Sequence, residues 1–74
     1  MAIVRFVGWR EGLQKVSLIR AIIARSDLGL ADAKHVVDDL LEGTRPCVHV
    51  RSVEEARLLV SDVAALGADA VIEE

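Results

Sequence analysis

The amino-acid sequence is poor in the residues on which several classes of protein depend. It contains no Tyr, one Phe and one Trp, so an aromatic platform for stacking nucleic-acid bases is not expected. The single cysteine, Cys47, has no partner for an internal disulfide, and neither His35 nor His49 stands at a metal-finger spacing from it. No stretch approaches the ~20 apolar residues of a membrane span, and the N-terminus lacks the apolar run of a signal peptide. We therefore expect a cytoplasmic protein without a membrane segment, a metal or another cofactor.

The balance of charge also argues against nucleic acid as a direct partner. Nine basic and twelve acidic side chains give a net charge of −3, which is the wrong sign for a domain that neutralises many phosphates. The 53% hydrophobic content excludes a disordered tail, and 74 residues leave room for one hydrophobic core. We expect residues 1–74 to form a single small domain.

The spacing of apolar residues changes period along the chain and predicts six elements. Alternation predicts strands over 2–9, 47–50 and 68–73, whereas helical spacing predicts helices over 13–25, 30–41 and 53–66. Ser52 and Glu55 match a capping box at the start of the third helix. The order β-α-α-β-α-β is typical of a two-layer α/β sandwich in which three helices cover one face of a three-stranded sheet. The other face of the sheet is predicted to be open.

Strand alternation predicts apolar side chains on that open face. The residues expected to face the helices are Ala2, Val4, Phe6, Val48, Val50, Ala70 and Ile72. The residues expected to face outward are Ile3, Val7, Cys47 and Val71, with Trp9 on the same side. A contiguous apolar patch usually marks an interface, so a homodimer is one expectation. The alternative is that the strand ends twist and Trp9 folds over the other four.

The titratable residues do not form a recognisable catalytic pattern. Cys47 and His49 lie two apart on one strand and share a face, but no third ligand or acidic orienter is implied by the sequence. The consecutive carboxylates Asp38 and Asp39 point about 100° apart on a helix and are typical of a solvated surface. The glycines do not have the spacing of a phosphate-binding loop. We do not expect an enzyme.

Two neighbouring segments resemble a known family. Lys15-Val16-Ser17-Leu18-Ile19-Arg20-Ala21, followed by Leu28-Gly29-Leu30-Ala31-Asp32-Ala33-Lys34, is similar to the K-V-x-x-I-K-x-V-R and G-L-G-L-K-E-A-K pattern of the acidic stalk protein of the bacterial large ribosomal subunit, the seven/twelve protein. The resemblance is to the C-terminal globular domain of that protein and runs from Val4 to Glu73, with about three extra residues near 43–47. Its most specific part is the Leu-Gly-Leu turn, where Gly29 is expected to be needed for a close approach or a conformation that excludes side chains.

The resemblance implies the same β-α-α-β-α-β fold, no catalytic activity, and docking of the first two helices onto a translational GTPase. On the matching positions, the implied contact residues are Lys15, Val16, Ile19, Arg20, Ile23 and Lys34. Two of the family's basic residues are replaced, because Ile23 stands in place of an arginine and Ala31 in place of a lysine. Electrostatic recruitment should be weaker as a result.

The sequence begins directly at the first strand, whereas the stalk protein has a dimerisation region and a hinge before this domain. We expect either a free-standing relative with its own partner, which Met1 favours, or a fragment. A protease adaptor that recognises N-terminal degradation signals resembles the same fold, but its acidic pocket motif is not found here. Two hypotheses remain: a protein-interaction domain that binds a partner such as a translation factor, and a self-associating structural module with no role in translation.

Overall fold

A computed structural model describes residues 1–73 of the chain as three helices packed on one face of a three-stranded antiparallel sheet. The elements are β1 (Ala2–Trp9), α1 (Lys15–Arg25), α2 (Leu30–Leu41), β2 (Cys47–Val50), α3 (Val53–Ala65) and β3 (Ala68–Glu73). The predicted α/β sandwich and element order are confirmed. None of the helices within these residues is long and apolar enough to cross a membrane.

The first helix begins two residues later than its apolar spacing predicts. The backbone N–H of Leu13 donates to the Arg10 carbonyl oxygen, and that of Gln14 donates to the Leu66 carbonyl oxygen at 2.9 Å. These bonds hold both residues in the connection that follows β1. Helix α1 therefore starts at Lys15.

The sheet has the order β2-β1-β3, so the N-terminal strand is central and the other two are edges. Val4 pairs with Val48 on one side and with Ile72 on the other. Alternate residues of β1 and β2 are fully buried beneath the helices, as predicted. The buried core consists of Ala2, Val4, Phe6, Leu18, Ile19, Ile22, Ala33, Val37, Leu40, Val48, Val50, Ala56, Leu59, Val63 and Ala68.

A β-bulge changes the face on which β1 ends. Phe6 pairs with Ala70, but the next pairs are Gly8 with Asp69 and Trp9 with Ala68, so Val7 is an extra residue. Trp9 therefore has the same facing as the buried Ala68, because directly paired residues point to one side of a sheet. The expected placement of Trp9 on the outer face with Val7 is wrong. Its side chain is 45% exposed at the end of the strand.

Ion pairs join the three helices across the top of the sheet, with α1 between its two neighbours. Lys15 Nζ lies 3.0 Å from Asp38 Oδ1 of α2, which places the start of α1 beside the second half of α2. On the opposite side, the Arg25 guanidinium contacts Glu55 at 3.5 Å and Asp62 at 3.2 Å, both on α3. Helices α1 and α2 therefore form an antiparallel hairpin that is braced against α3.

Two expectations for the ends of the helices have different outcomes. Ser52 caps α3 as the capping box predicts, since its side chain accepts a bond from the Glu55 N–H at 3.2 Å. Gly29 is the N-cap of α2, with φ −82°, and a Cβ there would meet nothing within 4 Å. The turn does not require glycine for space or for backbone conformation, so that expectation is wrong.

Candidate functional site

The outward side of the helical hairpin carries a stripe of apolar and basic side chains. On α1, Val16, Arg20 and Ile23 follow a spacing of four and three residues, so they share one side of the helix. On α2, Leu30 and Lys34 are one turn apart, and the same side of the helix continues to Asp38, which pairs with Lys15 of α1. We call Val16, Arg20, Ile23, Leu30 and Lys34 the hairpin surface.

Two side chains of the hairpin surface are large, apolar and mostly in solvent. Val16 is 64% exposed and Leu30 is 62% exposed. The apolar spacing of α2 predicts that Leu30 faces the core with Ala33 and Val37, but its side chain is exposed. Leu30 is the first residue of the helix. The structure thus adds Leu30 to the set predicted from sequence.

The basic residues of the hairpin differ in how their charge is compensated. Lys15 is held by Asp38, so its charge is partly neutralised. Within residues 1–73, no carboxylate oxygen lies within 4.0 Å of the charged nitrogens of Arg20 or Lys34, both of which are exposed. Arg20 and Lys34 are therefore the cations of the hairpin that are available to a partner.

The apolar neighbours named by the resemblance have different positions in the structure. Ile19 is 7% exposed and belongs to the buried core, together with Leu18 and Ile22 of the same helix. Ile19 is therefore a core residue and not the contact residue that the resemblance implies. Ile23 is half-buried and packs against the core, which leaves only part of its side chain at the surface.

The outer face of the sheet is uncovered, as predicted, but it is not a continuous apolar patch. Arg5 pairs with Cys47 on one side and Val71 on the other, so it lies between the two. Its guanidinium donates to Glu73 at 3.1 Å and to the Arg45 carbonyl oxygen at 2.8 Å. Ile3, Val7 and Cys47 are half-buried and Val71 is 46% exposed around this ion pair.

A groove of about 420 Å³ lies between β2 and the start of α2. It is lined by Asp27, Leu28, Asp32, Val36, Cys47, Val48 and His49. The sequence did not suggest that Asp27 and Asp32 lie near Cys47 and His49, because these pairs belong to segments that only the folded chain brings together. Among the residues that the structure describes, no three His, Cys, Asp or Glu side chains converge as a metal site.

A scan against protein-family models and a search of curated protein sequences find no match to this chain.

Proposed function

We propose that the protein is a non-catalytic interaction domain that binds an acidic protein surface through its helical hairpin. The observation that carries this proposal is the presence of two cations, Arg20 and Lys34, without an ion-pair partner among residues 1–73, between the exposed apolar side chains of Val16 and Leu30. Apolar side chains supply contact area that is released from water on binding. Charges that are complementary to those of the partner raise the association rate and select partners of opposite charge.

A translational GTPase is the partner class that we propose, and a cytoplasmic location follows from it. The support is the resemblance of the hairpin sequence to the ribosomal stalk domain, together with the agreement of the observed element order with that fold. Ile23 and Ala31 replace two basic residues of the family pattern. With Lys15 already paired to Asp38, the remaining basic surface is small, so we expect a weak complex that is sensitive to salt.

Replacing Arg20 and Lys34 by glutamate should weaken partner binding without destabilising the fold. We expect Arg20→Glu/Lys34→Glu to slow association with an acidic partner by roughly tenfold, because both charges would then repel it. The melting temperature should change little, since exposed charges contribute little to folding. The measurement is co-sedimentation with ribosomes and binding to purified elongation factors, each at low and moderate salt.

The matched control is Arg51→Glu/Arg57→Glu, which makes the same change of charge at exposed positions outside the hairpin. It should bind as the wild type does. Equal loss in both double variants would show that only the net charge matters, and the hairpin would cease to be the binding surface. Absence of wild-type binding to any elongation factor would remove the translational GTPase as partner.

The uncovered outer face of the sheet supports a second candidate function, which is self-association. All three helices lie on the inner face, and Val71 remains 46% exposed on the other. Two copies that met through this face would bury the Arg5–Glu73 ion pair along with Ile3, Val7 and Cys47. Such a contact is favourable only if the ion pair keeps its hydrogen bonds, because removing its charges from water costs free energy.

For this candidate we expect the wild type to be a dimer at micromolar concentration and Val7→Lys to weaken it about a hundredfold, because an unpaired ammonium group would be buried. Val16→Lys introduces the same charge on the hairpin and should leave the dimer intact. The oligomeric state is measured by light scattering under reducing conditions, which prevent cross-linking through Cys47. A monomeric wild type, or a dimer indifferent to Val7→Lys, would refute association through the sheet face.

A further inference from the structure

The backbone groups of β2 alternate between β1 and the free edge of the sheet. The Phe6 N–H donates to the Pro46 carbonyl oxygen at 2.9 Å, so Phe6 and Pro46 form a hydrogen-bonded pair. In an antiparallel ladder such pairs recur at every second residue, which makes Val48 and Val50 the residues that bond to β1. The N–H and C=O groups of Cys47 and His49 therefore point away from β1. No other residue within 1–73 bonds to them.

The open backbone of β2 lies beside the groove described above. Cys47, Val48 and His49 form one wall of this groove, and the half-buried side chains of Leu28 and Val36 form an apolar surface opposite them. A chain that paired with Cys47 and His49 would thus place every second side chain over the start of α2. Strand addition of this kind draws affinity from main-chain bonds and specificity from the pockets beside them.

The charges around the groove select the occupant. Asp27 and Asp32 are exposed at its mouth, and neither carboxylate has an ion-pair partner among residues 1–73. A basic side chain on the added strand would meet both. Lysine suits the site because its alkyl stem can lie along Leu28 and Val36 while its ammonium group reaches the carboxylates.

A second copy of this chain fits the same edge poorly. Symmetric antiparallel pairing of two β2 strands centred on Val48 sets Cys47 opposite His49 of the second copy, and this register brings Arg45 opposite Arg51 just beyond both ends of the strand. Like charges directly across a strand pair are destabilising. This register is therefore disfavoured for a homodimer, whereas a short separate segment paired with residues 46–50 stands opposite neither arginine and can place its basic side chains beside Asp27 and Asp32.

We propose that the free edge of β2 and the adjoining groove bind an extended, lysine- or arginine-containing peptide segment of another protein, which adds to the sheet as a fourth strand. This site does not depend on the hairpin surface. Asp32 and Val36 lie on the side of α2 that faces β2, whereas Lys34 lies on the side that faces α1. The two surfaces also have opposite charge, so each can be tested while the other is intact.

The test uses a blocked peptide, Val-Lys-Val-Lys-Val, and its acidic counterpart, Val-Glu-Val-Glu-Val, titrated into the whole protein. We expect the basic peptide to bind and to protect the amide hydrogens of Cys47 and His49 from exchange. The amides of Val48 and Val50 should be protected already in the free protein. A version of the basic peptide with every backbone amide N-methylated should not bind, because it keeps the charge but has no N–H group to donate to β2.

Two double variants locate the charge effect. Asp27→Asn/Asp32→Asn should weaken binding of the basic peptide roughly tenfold, while Asp39→Asn/Glu42→Gln, with the same change of charge on an exposed part of α2 and its C-cap, should leave binding unchanged.

Four outcomes would overturn the proposal: no binding of the basic peptide at millimolar concentration, equal binding of the acidic peptide, equal binding of the methylated one, or equal loss in both double variants. Protection of the Cys47 and His49 amides that rises with protein concentration in the absence of peptide would assign this edge to a second copy instead.

Discussion

Phe6→Ala should lower the free energy of unfolding by about 3–5 kcal/mol, the usual cost of removing a buried aromatic ring. Phe6 is fully buried on the central strand and is the only phenylalanine in the chain. A domain of this size loses roughly 4–8 °C of melting temperature for each kcal/mol of stability lost. The melting temperature of the variant should therefore be at least about 12 °C below that of the wild type. Chemical unfolding followed by circular dichroism measures the effect.

Val7→Ala on the same strand is the matched control. Val7 is half-buried on the outer face, at the bulge, and removing two of its carbons should cost well under half as much as Phe6→Ala. Phe6→Leu retains most of the apolar volume and should fall between the two. Similar losses for Phe6→Ala and Val7→Ala would mean that the inner face of β1 is not the centre of the core.

Gly67→Ala should destabilise the fold by about 3 kcal/mol, because strain and a close contact add at one position. Gly67 has φ +101°, which side-chain-bearing residues rarely adopt. A Cβ there would lie 3.0 Å from the Leu13 Cα, and that neighbour is backbone and cannot turn aside. The same connection is clamped by bonds from Arg10 to Gly67 and from Gln14 to Leu66, so relief by movement would break them.

Two other glycines separate the two contributions. Gly43 has φ +94° but open space around its Cβ position, so Gly43→Ala should show only the backbone cost of about 1–2 kcal/mol. Gly29 has ordinary backbone angles. Gly29→Ser should be neutral or should stabilise the fold by about a few tenths of a kcal/mol, because serine is a better N-cap residue than glycine. Equal losses at Gly67 and Gly43 in denaturant titrations would show that the approach of Leu13 has no cost.

On the hairpin, some side-chain positions follow from local sequence spacing, whereas others depend on how the helices pack. The spacing of Val16 and Arg20 on α1 could be read directly, because a helix repeats its faces locally. The burial of Ile19 could not be read from the resemblance, since it depends on which side of α1 packs into the core. The exposure of Leu30, at the first residue of α2, likewise could not be read from its apolar spacing. The pairing of Lys15 with Asp38 requires knowledge of how the two helices cross.

Local sequence patterns specify the element order, the inner face of the sheet and the cap of α3, because alternation, helical periodicity and the Ser52–Glu55 capping signal act over a few neighbouring residues. The facing of Trp9 depends on strand pairing, since the bulge at Val7 exists only where β1 pairs with the distant β3. The position of the open β2 backbone beside two aspartates also follows only from the fold, whereas the placement of Arg5 on the outer face already follows from the alternation of β1. Strand order, register and crossing geometry join residues far apart in the chain, and no local pattern carries that information.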